Sequence, residues 1–377
     1  MRDHPDAAAR LRALLRETAA EDAPRAARIE RGVPVYDCAA LAGDLADPEG
    51  RAALMAEWAH VLGEGPGALA LAGAVEDLGA LDAATAAYGR IIDAERGRGG
   101  ADHFAAAGAN DRVWNAAQKL CLAEPETFAR VFGCMPVAAV CEAWLGPAYQ
   151  MTAQINVVRP GGAAQRPHRD YHLGFMPEAE ARRFPAHAHA LSPALTLQGA
   201  IAHVDMPVES GPTKLLPWSQ HLEGGYLAMH HDDVAAVFEE AHVQVPLRRG
   251  DALFFSPALL HAGGANRTAD VERMANLLQV SSCMGRAMEA VDRAAMCRAL
   301  YPALLDLADD LGPTRTEAAV AACAEGYAFP TNLDRDPPAG GLAPPSQADV
   351  MRAALAKRLD PAAFAERLDA HAARRQP

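Results

Sequence analysis

The chain has 377 residues, 50% of them hydrophobic and 22% charged, and its 35 Lys plus Arg against 48 Asp plus Glu give a formal charge of −13. That apolar content supports one large domain or two ordinary ones and excludes a disordered chain. A field of this sign repels phosphate backbones and anionic lipid, which argues against nucleic acid and membrane as partners.

The first thirty residues mix both charge signs and lack the continuous apolar run of a secretion signal. No window approaches the roughly 20 apolar residues of a membrane span, so a cytoplasmic protein is the expectation. Residues 1–145 are Ala-rich and read as a helical flank packed on the middle of the chain: Leu11, Leu14 and Leu15 share a helical face, as do Trp114, Ala117 and Cys121. Glu124-Pro125 divides the second of these segments, since proline disfavours helix at the residue before it. The stretch 97–111 reads as a loop. The amphipathic start suits a dimer contact as well as a core, which leaves monomer and homodimer both open. Seven cysteines form no Cys-x-x-Cys pair and are odd in number, so they read as buried small residues rather than disulfides or a zinc-thiolate site.

Over 146–285 the texture changes to short runs of β-branched and apolar residues punctuated by Gly, Pro, Asn and Asp: 149–158, 194–206, 213–217, 242–247, 251–256 and 273–282. Many short strands without a helix between each pair predict an antiparallel barrel or sandwich. Helical texture returns over 286–377. There a Pro/Gly linker at 329–347 precedes a last helical stretch divided at Asp360-Pro361.

"QRPHRDYHLGF" (165–175) places His168 and Asp170 two apart, and in an extended chain such residues project to one side, roughly 6.5–7 Å apart. His4/Asp6, His203/Asp205, His230/Asp232 and His231/Asp233 share the spacing. His4/Asp6 sits at a charged terminus, and 230–242 reads as a helix start capped by Asp232 or Asp233. His203/Asp205 ends a good strand and remains the rival, although its Asp opens directly into a turn. His168/Asp170 follows a strand with Gln154, Asn156 and Val158 on one face, and buried polar residues there need partners. His261 follows a separate strand. Two imidazoles and a carboxylate on one face leave open positions, as non-haem Fe(II) oxygenases require. A chelating 2-oxo diacid also needs its far carboxylate neutralised. Arg273 opens an otherwise apolar strand, with Arg267 in the adjoining loop as the competing cation.

In order, these stations resemble the phytanoyl-CoA dioxygenase family of Fe(II)- and 2-oxoglutarate-dependent oxygenases. The likeness rests on Asn156, His168-x-Asp170, Asp205 through Ser219, Gly250-Asp251, "LFFSPALLHAGGAN" (253–266) and the Arg273 strand. Trp218 stands where the family usually has Gly. The resemblance implies a double-stranded β-helix (jelly-roll, cupin-like barrel) wrapped by N- and C-terminal helices, with His168, Asp170 and His261 holding Fe(II). It makes Arg273 the anchor of 2-oxoglutarate, one residue beyond the expected spacing, and demotes His203. Gly263 replaces a Ser that holds the cosubstrate in some members, so Asn156 and Gln198 are candidates for that contact. Because Asp170 fills the carboxylate position, the implied reaction is hydroxylation of a small-molecule C–H bond, consuming O2 and 2-oxoglutarate and releasing succinate and CO2. Tyr171, His172 and Phe175 are candidate substrate walls, and 176–192, with His187 and His189, is a candidate lid. A catalytically silent metabolite-binding barrel and a cupin-like metalloenzyme that does not use 2-oxoglutarate are the alternatives.

Overall fold

The computed structural model describes residues 6–96, 110–338 and 340–377. The 97–109 part of the expected loop, and His4, lie outside the described residues. The strands are β1 (Arg28–Glu30), β2 (Val33–Asp37), β3 (Ala68–Ala72), β4 (Asn110–Val113), β5 (Gln150–Val158), β6 (Thr196–Ala202), β7 (Lys214–Leu215), β8 (Val243–Gln244), β9 (Ala252–Phe255), β10 (His261–Ala262) and β11 (Arg273–Ser281). They form an eight-stranded sheet in the order β1-β2-β3-β9-β6-β11-β5-β4 and a three-stranded sheet in the order β10-β7-β8. This is a double-stranded β-helix core with helices on both termini, as the strand texture and the resemblance implied. The Ala-rich first 145 residues are less uniformly helical than they read, since they supply four strands of the large sheet.

The longest ladder, β5 against β11, runs from Arg273 opposite Val158 to Ser281 opposite Gln150. Its alternation separates two environments. Met151, Ala153, Ile155 and Val157 on β5, with Met274, Leu278 and Val280 on β11, join the outer core beneath the helices. Ala275 on β11 turns inward with Ala200 and Ala202 on β6, Leu253 and Phe255 on β9, and Ala68 and Ala70 on β3. The intervening inward positions are polar: Gln154 and Asn156 on β5, Gln198 on β6, Arg273 and Gln279 on β11, all buried. A polar row inside a barrel marks where that barrel works.

The outer face is closed by helices whose ends the sequence marks. Asp47 caps Pro48–Gly63 by accepting from the Gly50 N–H at 2.7 Å. Pro125 starts the helix Pro125–Phe132 after Ala116–Ala123, and Asp360 caps Pro361–Arg375, so both divisions at Pro fall as expected. The helical run Arg293–Cys323 breaks at Gly312, whose φ of 71° is a left-handed conformation that suits glycine. On the central strand β6, a Cβ at Gly199 would lie 2.6 Å from the Phe254 ring, so that ring occupies the space a side chain would need. Six cysteines are buried and Cys283 is partly so, all as free thiols. Among the described residues no single helix is long and apolar enough to cross a membrane.

Leu278, fully buried on β11, contacts the helices through the outer core. Leu278→Ala is expected to lower the unfolding free energy by about 2–5 kcal/mol, measured by chemical denaturation.

Candidate metal centre

His168 and His261 are joined by their backbones. The His168 N–H donates to the His261 carbonyl at 2.9 Å and the His261 N–H returns the bond to the His168 carbonyl at 3.1 Å. This isolated antiparallel pair brings the imidazole centroids to 4.5 Å. Asp170 comes next without continuing a strand; its N–H donates to the Pro257 carbonyl at 3.1 Å, and the adjoining residue, Tyr171, takes a φ of 62°. A bridge succeeded by a sharp bend therefore aims the two side chains together, where the sequence suggested an extended pair.

The three ligating atoms lie within 4.8 Å of one another. Asp170 Oδ1 is 3.6 Å from His168 Nε2, and its Oδ2 is 3.4 Å from His261 Nε2. Each imidazole is fixed from behind: His168 Nδ1 lies 2.8 Å from the Arg166 carbonyl and His261 Nδ1 lies 2.9 Å from the Leu259 carbonyl. A carbonyl only accepts, so Nδ1 carries the proton in both rings and the Nε2 lone pairs face the centre. Burial, reinforced by the neighbouring His261, holds His168 below the usual imidazole range and so neutral. Burial raises the Asp170 carboxyl, but the imidazoles beside it, His261 foremost, and the Gln198 amide that donates to it outweigh that and bring it to about 2. An ionised carboxylate beside two inward-turned Nε2 lone pairs suits a divalent cation with its remaining positions open.

Gln198 reaches Asp170 from the large sheet, its Nε2 donating to Oδ2, while its Oε1 is buried without a partner among the described residues. Gln279 stands directly opposite Gln198 and accepts from Gln154 Nε2 at 3.0 Å; Arg112 on β4 in turn donates to Gln154 Oε1 at 2.9 Å. Sequence reasoning placed Gln154 on this polar face without giving it a role and passed over Gln279 and Arg112, although inward polar residues on adjacent strands were the available signal. Asn156 faces the same interior opposite Ala275, and its side-chain amide makes no hydrogen bond among the described residues.

Arg273 is 8% exposed, and Nη1 donates to the Gly264 carbonyl at 3.3 Å, beside the His261 strand. Among the described residues no carboxylate meets it, and burial, with Arg112 nearby, lowers it to about 10. Arg267 is exposed on the loop. At Gly263, where the resemblance implied a possible Ser, a Cβ would lie 2.9 Å from Gln165 Oε1, which accepts the Gly263 N–H at 3.0 Å. The side chain of Gln165 thus takes the space a serine would use.

Of the candidate wall residues, Tyr171 is 2% exposed with a buried hydroxyl lacking a partner among the described residues, and its ring lies 5.6 Å from Phe175 and 6.3 Å from His172. His172 is half-buried, and Phe175 is exposed. The segment 176–192 folds into two short helices, Glu178–Ala181 and Ala186–Leu191. His189 is buried against the Ala181 carbonyl at 3.0 Å while His187 is exposed, so the two do not share a ligand. His231, rather than Asp232 or Asp233, is the N-cap of the helix Asp232–Ala241, and the two aspartates lie in its first turn.

The rival pair is structural. Thr85 donates its only hydroxyl proton to the Leu81 carbonyl at 2.8 Å, so at 2.7 Å from His203 Nδ1 it accepts from that ring. His203 is 2% exposed against Tyr88, and Asp205 accepts the Arg249 N–H at 2.8 Å. Burial depresses His203 to about 4. The folded pKa lies below the unfolded value of about 6.5, so stability is full above that pH and is lost as pH falls toward 4. Denaturation curves at stepped pH are expected to show this loss, and His203→Phe to flatten it.

In sequence, this geometry has company. A dioxygenase of Emericella variicolor, andF, is 30% identical over 142 residues, which is 36% of this chain and 43% of the relative. A dioxygenase of Aspergillus terreus, trt7, is 31% identical over 114 residues, 30% of this chain and 34% of the relative. The matched stretches therefore span less than half the length of either relative. Among solved structures, the non-heme α-ketoglutarate-dependent epimerase SnoN from nogalamycin biosynthesis is 23% identical and covers 63% of this chain and 84% of its own, with a TM-score of 0.41. The carbocyclase SnoK of the same biosynthesis is 21% identical and covers 58% and 80%, with a TM-score of 0.42. The profile of the family described as phytanoyl-CoA dioxygenase (PhyH) matches residues 63–275, a stretch that takes in β3 through the start of β11 with His168, Asp170, His261 and Arg273 inside it. The chain belongs to the phytanoyl-CoA dioxygenase family.

Proposed function

We propose that this chain is an Fe(II)- and 2-oxoglutarate-dependent dioxygenase that hydroxylates a C–H bond of a small-molecule metabolite. The observation that carries the reading is one juxtaposition: a His-Asp-His face with both Nε2 atoms turned inward, in a barrel that also buries an arginine lacking a carboxylate partner among the described residues.

His168, Asp170 and His261 would hold the iron, which when bound supplies the redox chemistry that couples O2 and 2-oxoglutarate to substrate oxidation, with succinate and CO2 as products. The protein's own part is placement. Gln198 orients one carboxylate oxygen, leaving the other free to turn to the metal. Arg273 offers a planar fork to the far carboxylate of the diacid, and its burial makes that pairing stronger than it would be in water. Asn156, on the same inner face, is the further cosubstrate contact. Tyr171, His172 and Phe175 form the approach for the prime substrate. A carboxylate at position 170 fills the coordination site that a halide would need, which favours hydroxylation.

Purified protein with Fe(II), ascorbate and 2-oxoglutarate is expected to release succinate slowly without any prime substrate and faster when a metabolite mixture supplies one. Arg273→Ala removes charge-assisted hydrogen bonds worth about 1.5–3 kcal/mol. The KM for 2-oxoglutarate should therefore rise on the order of ten- to a hundredfold, while Fe(II) binding is retained. A silent binding barrel would release no succinate, and a metalloenzyme that does not use 2-oxoglutarate would be indifferent to Arg273→Ala.

A further inference from the structure

Ser219 lies outside the set of ligands, yet two of the ligand-bearing segments meet on it. Arg169, the residue between His168 and Asp170, points away from the metal face and is 3% exposed. Its Nη2 donates to the Ser219 carbonyl at 2.6 Å, and its guanidinium carbon lies 5.5 Å from the Tyr226 ring centroid. Among the described residues it meets no carboxylate. Room for it is made by Gly225, where a Cβ would fall 2.0 Å from the guanidinium carbon. From the other side, the N–H of Leu260, the residue before His261, donates to Ser219 Oγ at 2.8 Å. Ser219 is itself fully buried. It is held in place by Trp218, which takes a φ of 72° and is fixed by Arg16 over its ring at 3.5 Å and by Thr18 on its indole N–H at 3.2 Å.

One residue thus accepts from both sides of the centre, through its carbonyl from the His168/Asp170 bend and through its hydroxyl from the His261 strand. A buried guanidinium without a counterion is costly to keep. What it secures here is the position of the backbone that carries two ligands. We infer that Ser219 and Arg169 are positioning residues that set the spacing of the metal-ligating side chains, an inference that rests on the metal-centre reading. Groups that orient a ligand from behind commonly tune metal affinity by about ten- to a hundredfold.

The test is the Mn(II) dissociation constant, read by titration calorimetry on metal-free protein, alongside the melting temperature of that same metal-free protein. Ser219→Ala deletes the acceptor of the Leu260 N–H and is expected to weaken Mn(II) by roughly ten- to a hundredfold. Arg169→Met is expected to do likewise, and Arg169→Lys, which keeps a donor, to recover part of the loss. Ser282→Ala is the control: Ser282 is buried and accepts the Met284 N–H at 3.2 Å, and its backbone bonds go to Leu195, Gly285 and Gln150 rather than to the ligand-bearing segments. Its affinity should stay at the wild-type value whatever its melting temperature. Unchanged Mn(II) affinity in Ser219→Ala and Arg169→Met, or losses in Ser219→Ala and Ser282→Ala that simply track their melting temperatures, would overturn the inference. Should Ser219→Ala not fold, the Arg169→Met and Arg169→Lys pair decides: a loss in Arg169→Met partly recovered in Arg169→Lys supports the inference, and equal affinity in both and in the wild type overturns it. A wild-type chain that binds no Mn(II) would overturn the metal-centre reading itself, a different result from a wild type that binds and a variant that binds equally well.

Discussion

The site depends on a two-bond backbone bridge. His168 and His261 lie far apart in sequence, and what fixes their rings 4.5 Å from each other is the reciprocal pair of N–H to carbonyl bonds between them. A backbone pair of this kind leaves both side chains on the same face, so convergence of the imidazoles follows from the pairing. Everything else at the centre refines that placement. The Arg166 and Leu259 carbonyls choose the tautomer, Pro257 receives the Asp170 amide, and Gln198 brings the large sheet into contact with the carboxylate.

The barrel around the bridge is organised by alternation. Inward positions on β6, β9 and β11 that are not polar belong to the inner apolar cluster, and the outward positions carry the helices. Gln154, Gln198, Gln279, Asn156 and Arg273 interrupt the apolar lining on three neighbouring strands. Burying these polar side chains lowers the stability the core could otherwise reach, because each must be satisfied or left short of a partner. The orphaned Gln198 Oε1 and Tyr171 hydroxyl, with Arg273 lacking a carboxylate among the described residues, show where that demand is still open.

Much of this is legible in the sequence. The strands of the second half follow from period-two patterning and turn residues, and the helix divisions at Pro125 and Pro361 from the steric effect of proline on the preceding residue. The candidate triad is readable from spacing plus order. What escapes is tertiary. β2 and β3, "VPVYD" and "ALALA", sit within an Ala-rich stretch whose composition favours helix, and become strands because the sheet offers them neighbours on β1 and β9. Trp218 at a left-handed position is visible in the sequence only as a departure from glycine; the cation of Arg16 and the hydroxyl of Thr18, 200 residues away, offset its strain. Alternation turns Arg169 away from the metal, and that orientation is right, but its reach to Ser219 depends on a contact 50 residues distant. Alternation tells which side a residue faces and says nothing of what waits there.

The most direct measurement is a crystal structure of the protein grown anaerobically with Mn(II) and 2-oxoglutarate, with the metal located by its anomalous signal. One strong peak is expected, bonded to Nε2 of His168, Nε2 of His261 and a carboxylate oxygen of Asp170, with the far carboxylate of the diacid on the Arg273 guanidinium. A metal bound elsewhere, or a diacid whose far carboxylate is held by a group other than Arg273, would contradict the central claim.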